Sequence, residues 1–206
     1  MFDLHVHTCY SLDGNEEPEE IVKYLKKNGF KGAAIVDHNT LKGALKVKSS
    51  DFLIIPGMEI KTGKGHILAL GIKEEVKSRD VVELIEEIHE KGGIAVLAHP
   101  FRFSKPHCKT DAIEVINGRC FPMQNKRAME YATRHNLPAT AGSDGHYMWE
   151  MGKAYVEMNA ESIDDAIEEI LKGRAEAKGE QNFWHPLKCQ IYSFTSFVKR
   201  GFRRVE

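Results

Sequence analysis

Nine side chains of metal-ligating type recur along this chain of 206 residues: His5, His7, Asp13, His38, Glu59, His66, His99, Asp144 and His146. Most stand at or just past the end of a short apolar run that reads as a β-strand. In a barrel of alternating strands and helices such positions converge on one mouth, where active sites are built. The pattern points to a polynuclear metal centre and so to hydrolysis.

The units differ in what each implies. In His5-x-His7 both imidazoles share one strand face and can grip an ion from one side. Asp13, in Ser11-Leu12-Asp13-Gly14, reads equally as a ligand and as a turn residue. Asp37-His38 ends an apolar run and is poor core material. Because neighbouring strand residues face opposite ways, His38 is taken as the ligand and Asp37 as its hydrogen-bonding support. Glu59 lies inside an apolar stretch, where a carboxylate needs an ion or a salt-bridge partner. As a ligand it can bridge two ions. His66 opens an apolar run and reads as a ligand or a satisfied turn histidine. His99-Pro100 ends the very apolar residues 94–98. Asp144-x-His146 repeats the spacing of the first unit. Three carboxylates against three divalent ions leave a positive site, suited to a phosphate ester.

The elements that must carry these groups alternate. Strands are expected over residues 2–6, 33–36, 52–55 (continuing as extended chain over 58–61), 66–71, 94–98, 112–116, 137–141 and 154–158. Helices are expected over 18–28, 80–91, 122–135 and 162–172. This order implies an α/β barrel with one hairpin-like irregularity. A single domain over residues 1–206 is expected, with the barrel over about 1–180. Beyond it, Leu187, Ile191, Phe194 and Val198 recur at helical spacing, so a helix over 183–206 is expected to cover the barrel. Its basic end reads as solvated, with contact to RNA or an anionic surface as the lesser reading.

Bulk composition narrows the class. Hydrophobic residues make up 42% and charged residues 29%, with a net charge of −1. That near-neutral total argues against a dedicated nucleic-acid binder. The total hides an asymmetry, because residues from Phe183 onward carry a net +4. Cys9, Cys108, Cys120 and Cys189 form no C-x-x-C pair and read as reduced thiols. No leader and no run of membrane-span length is visible, so a cytoplasmic protein is expected. No obligate protein partner is evident.

His5-x-His7, Val36-Asp37-His38, Pro56-Gly57-x-Glu59-Ile60, Ala98-His99-Pro100 and Ser143-Asp144-x-His146 resemble the motifs of the polymerase and histidinol phosphatase (PHP) superfamily. The resemblance implies a distorted (β/α)7 barrel holding two or three divalent ions, Zn, Mn or Fe. It implies hydrolysis of a phosphate monoester or diester by a metal-bound hydroxide. The substrate would be a nucleotide, a sugar or amino-alcohol phosphate, or a nucleic-acid end. By the family pattern His5, His7, Glu59 and Asp144 would hold one ion, and Glu59, His66 and His99 a second. Asp13, His38 and His146 would hold a third. Ser-x-Asp-Gly resembles the branch of nucleotide and RNA-end phosphoesterases, which also carries an Arg shortly after the His-Pro pair. Arg102, Asp144 and His146 are the expected catalytic residues. Arg102 and Arg119 sit past strand ends and could fork onto phosphate oxygens. Arg119 reads equally as a surface arginine. His107, in a loop with Lys105 and Lys109, could touch substrate. Two other readings stand beside this one: an amidohydrolase-type hydrolase, and a non-catalytic metal-stabilised scaffold.

Overall fold

The computed structural model describes residues 1–103, 105–106 and 108–203. Nine strands form one sheet: β1 (Phe2–Val6), β2 (Gly32–Ile35), β3 (Leu53–Thr62), β4 (Gly65–Leu70), β5 (Ile94–Leu97), β6 (Ala112–Asn117), β7 (Ala139–Gly142), β8 (Ala154–Glu157) and β9 (Glu176–Gly179). Their order is β7-β6-β5-β4-β3-β2-β1-β8-β9. β1, β2 and β3 run parallel, as do β5, β6 and β7. β4 pairs antiparallel with both β3 and β5, the expected hairpin irregularity.

β7 packs back against β1, β8 and β9, which nearly closes the sheet. Gly142 is what lets β7 approach. A Cβ there would lie 2.3 Å from the His5 Cβ and 2.6 Å from the His5 amide nitrogen. The turn after β7 then pairs with the end of β1, His7 N–H donating to Gly145 O at 3.0 Å.

One apolar cluster draws on each of β1 to β8, including Leu4, Val36, Ile55, Leu68, Val96 and Val156, with Ile170 from helix α5 (Ile163–Leu171). Only the inside of a curled sheet brings one cluster to that many strands. Separate clusters seat the outer helices. Ile21, Val22 and Leu25 of α1 (Pro18–Lys27) lie at helical spacing on one face, and Leu84 and Ile88 of α3 (Val81–Glu90) on another. Ala128 and Ala132 do the same for α4 (Pro122–His135). The architecture is a distorted α/β barrel.

Eight strands and all four expected barrel helices stand where the sequence pattern places them. The short helix α2 (Lys42–Lys46) and strand β9 were not anticipated. β9 reads Glu-Ala-Lys-Gly and offers no apolar alternation. It is held by backbone pairing along β8.

The C-terminal helix α6 (Trp184–Lys199) forms, but in the opposite orientation to the expected one. Its apolar stripe faces out, with Phe194 65%, Ile191 56% and Val198 42% exposed. The inward face carries Pro186, Cys189 and Ser193. The reason lies beneath it. Buried Arg119 donates to Cys189 O and Ser193 Oγ, and an apolar side chain at the second place would leave a buried guanidinium nitrogen short of an acceptor. Among the described residues no helix is long and apolar enough to cross a membrane.

Candidate metal centre

Glu59 is the centre of the mouth. The middle of the long strand β3 carries it inward, 1% exposed. Its Oε1 lies 2.7 Å from His66 Nδ1 and 2.9 Å from His99 Nε2. Its Oε2 lies 3.2 Å from His7 Nε2, 3.2 Å from His38 Nδ1 and 3.5 Å from His5 Nε2. Five histidines from four places in the chain thus meet one carboxylate. The β3–β4 hairpin delivers His66 opposite Lys61, and a bridge between residues 38 and 59 delivers His38.

The remaining groups close round this centre. Asp144 Oδ1 lies 3.6 Å from His7 Nε2 and 3.8 Å from His5 Nε2. Asp13 Oδ2 lies 3.2 Å from His146 Nε2, and its Oδ1 lies 3.6 Å from His38 Nε2. That second oxygen is buried without a hydrogen-bond partner. Asp13 thus sits in its turn with its carboxylate aimed into the mouth. All nine residues are brought together. Of three triads with close ligand atoms, one falls within an expected set and two cut across the sets. They are His5–His7–Asp144, His5–Glu59–His99 and His7–His38–His146.

Hydrogen bonds behind the imidazoles say what their inner nitrogens offer. His5 Nδ1 meets Glu114 Oε1 at 3.0 Å, and an ionised carboxylate can only accept. His7 Nδ1 meets Ser11 Oγ at 3.2 Å, and that hydroxyl already donates to Asp37 Oδ1 at 2.8 Å. Both Nδ1 atoms therefore carry hydrogen, and in the neutral rings both Nε2 atoms present lone pairs. These face each other at 3.2 Å. Two lone pairs so placed repel unless a cation lies between them. Two ligands at about 2.1 Å from a tetrahedral Zn ion sit roughly 3.4 Å apart, close to the 3.2–3.8 Å spread of His5, His7, Glu59 and Asp144. The donor set fits divalent ions.

Several supporting groups escaped the sequence reading. Glu114, on β6, accepts from His5 and, through Oε2, from His99 N and Asn117 Nδ2. Glu150 accepts from His146 N at 2.7 Å. Asp3 accepts from the amides of His5, Ser143 and Gly152, tying β1 to the segment after β7. Asp37 does not touch the His38 ring. It supports that residue through Ser11, whose hydroxyl accepts from the His38 amide. Only burial of a carboxylate marks these residues, and burial is not visible in local sequence. Two of the nine also sit on strained backbone, His99 at φ +28° and Asp144 at φ +54°. Such conformations in non-glycine residues concentrate at functional sites.

Comparison with known proteins places the arrangement. The PHP-associated family (PHP_C) matches residues 122–175. The chain is 32% identical over 183 residues to the uncharacterized protein MJ0417 of Methanocaldococcus jannaschii, covering 79% of this chain and 73% of the relative. It is 26% identical over 213 residues to the "Probable histidinol-phosphatase" of Thermotoga maritima, covering 78% and 91%. A crystal structure of a two-domain protein from Bacteroides vulgatus, containing a predicted PHP-like metal-dependent phosphoesterase, superposes with a TM-score of 0.69. The identity there is 18%, over 95% of this chain and 69% of that one. The chain belongs to the PHP superfamily.

Electrostatics in this PHP centre are sharply divided. Burial works against the charge on Glu59 and Asp144, yet the surrounding imidazoles, and Arg102 beside Asp144, hold both well below the usual carboxylate range. Burial lowers His7, but its hydrogen bonds to Asp144 and Glu59 outweigh that and raise it to about 9. His5 is raised as well, against burial, by Glu114, Asp144 and Glu59. Burial dominates at His38 and pushes it down to about 3.

A pH dependence follows. A histidine raised in the folded state adds stability below its unfolded value near 6.5, and that stability is lost as pH rises through about 9, the folded value of His7. The chelator-treated protein is therefore expected to lose thermal stability between those two pH values. Ions bind the neutral rings and release protons, so their stabilising effect should grow over the same window. Melting curves with and without chelator at the two limits check this. A chelator-treated Tm that stays flat or rises with pH would contradict it.

The PHP mouth opens into a cavity of about 670 Å³, lined by seven of the nine residues together with Lys61, Arg102, Phe103, Arg119 and Ser193. Arg102 Nη1 donates to Asp144 Oδ2 at 2.6 Å, and its guanidinium lies over the Phe103 ring. Arg119 is not a surface arginine, being 5% exposed. It lies 2.7 Å from His146 Nδ1, which is also 2.8 Å from Asp144 O. A guanidinium only donates, so one neutral tautomer cannot satisfy both contacts. Hydrogen on Nδ1 keeps the bond to Asp144 O and frees Nε2 for an ion. His107 lies outside the described residues.

Proposed function

We propose that this protein is a metal-dependent phosphoesterase whose nine residues hold two or three divalent ions at the barrel mouth, of Zn, Mn or Fe type. The observation that carries the reading is Glu59, buried and shared among five imidazoles, with a positively charged arginine at the rim of the same cavity. His5, His7, Glu59 and Asp144 would hold one ion, Glu59, His66 and His99 another, and Asp13, His38 and His146 the third. When bound, such ions lower the pKa of water and neutralise phosphate oxygens.

The chain's own groups supply the rest. Arg102 spends one nitrogen on Asp144, keeping that carboxylate ionised. Among the described residues its other donors are left to fork onto phosphate oxygens, and its guanidinium lies over the Phe103 ring. Asp144 and His146 border the reacting end, with Asn117 Nδ2 steadying Asp144 Oδ2 at 3.3 Å. Arg119, tied down by α6, holds the positive field rather than reaching outward. Glu59 takes the bridging place that a carbamylated lysine takes in binuclear amidohydrolases, which favours phosphate esters over amides. The names of the Thermotoga and Bacteroides proteins support the same class. The Ser-x-Asp-Gly loop and the Arg after His99-Pro100 favour a nucleotide or nucleic-acid end as substrate within a cytoplasmic, single-domain protein.

Phosphate release by the Mn-loaded protein tests this, using nucleotides, histidinol phosphate and short 5′-phosphorylated RNA, each against a chelated control. Chelator-sensitive release is expected; none from any substrate would overturn the reading. Arg102→Ala is expected to lower kcat/KM by about 100-fold, with Arg102→Lys recovering little because the fork is lost. Unchanged kcat/KM in both variants would remove Arg102 from the mechanism.

A further inference from the structure

Among the described residues the outward face of α6 is largely uncovered. Going round the helix, Trp184, Ile191, Phe194 and Val198 fall on one stripe, with Leu187 among them at helical spacing. Trp184 is 75% exposed, and Phe202 beyond the helix end 65%. Lys188 and Lys199 flank the stripe, and Arg200 and Arg203 follow it. Between Phe183 and Arg203 there is no Asp or Glu.

We infer that α6 is a docking face for an anionic lipid surface, and that the protein works bound to it. An apolar stripe bearing Trp and Phe beside an acid-free basic flank is the composition of a helix that lies in a bilayer interface. Charge complementarity selects the occupant. A second copy packed face to face through α6 would bring the same acid-free basic stretch and offer no anion there. Nucleic acid supplies the anion but no acyl region to take exposed Ile191, Phe194 and Val198, and of these occupants the lipid interface satisfies both. The face is independent of the barrel contacts. Docking leaves the bonds from Arg119 to Cys189 O and Ser193 Oγ in place.

Flotation of the full chain with vesicles reads the inference without any turnover, so its outcome is separable from the proposed hydrolysis. Binding is expected to vesicles of phosphatidylglycerol and phosphatidylcholine in equal parts, weakening as salt rises, and not to phosphatidylcholine alone. Replacing Ile191, Phe194 and Val198 together by Ser is expected to lower partitioning roughly a hundredfold. The same variant should keep its Tm and its phosphate release. Lys199→Gln with Arg203→Gln is expected to lower partitioning by about tenfold or more. Three results would each overturn the inference. One is absence of binding to the anionic vesicles, and another is equal binding by the Ser variant. The third is a solution dimer, or a complex with single-stranded RNA, that the Ser substitutions dissolve while vesicle binding persists.

Discussion

Glu59→Gln is expected to lower phosphate release by about 10³-fold or more, with loss of bound metal. The substitution keeps shape and removes charge. Glu59 is the only carboxylate among the described residues that touches His5, His7, His38, His66 and His99 together. A Gln side chain can offer one oxygen to these rings, and its amide group would present hydrogen where a lone pair is required. Loss of a single aligned electrostatic contact costs about 10²–10³ in rate, and a bridging ligand serves two ions at once. Metal content by mass spectrometry, measured alongside turnover, separates the causes. Full metal content with full activity would show that Glu59 bridges nothing.

Glu114→Gln is the second large effect, and it falls on a residue that no sequence motif marks. Metal affinity is expected to drop by about 10–100-fold, with turnover falling in step at limiting metal. Oε1 takes the His5 Nδ1 hydrogen, while Oε2 takes two more donors, His99 N and Asn117 Nδ2. An amide has one acceptor oxygen, so one of these sets must face an N–H. If His5 loses its partner, its tautomer is no longer held and Nε2 ceases to be a dedicated lone pair. If His99 N loses its partner, the strained turn that aims His99 loses its anchor. Competition with a calibrated chelator measures the affinity. Parent-like affinity and turnover in this variant would mean that His5 does not bind through Nε2.

The barrel was largely legible in sequence because hydrophobic runs end where strands end. Residues 94–98 are apolar until His99, and β5 stops at Leu97. The helices expected from residues 18, 80 and 162 open there, at Pro18 and at the side-chain caps of Asp80 and Ser162. β9 was not legible, since its order comes from pairing with β8 and its own residues have no strand pattern. The C-terminal helix was legible as a helix and misread in orientation. Periodicity shows that one face is apolar, but what lies under the helix is decided elsewhere, here by the buried guanidinium of Arg119.

By itself the sequence determined the chemical inventory: which side chains can ligate, and that strand ends present them. Both are local properties, carried by residue type and by the boundary between apolar and polar runs. Tertiary structure alone decided the partnerships. His7 shares its nearest triads with His38 and His146 as well as with His5 and Asp144, so the ligand groups overlap rather than standing apart. Glu114, Asp3 and Glu150 became supports only when folding buried them beside groups far away in the chain. The physical reason is range. Apolar periodicity acts over one element, whereas a hydrogen bond or an ion pair between remote residues depends on a distance that exists only once the sheet has curled.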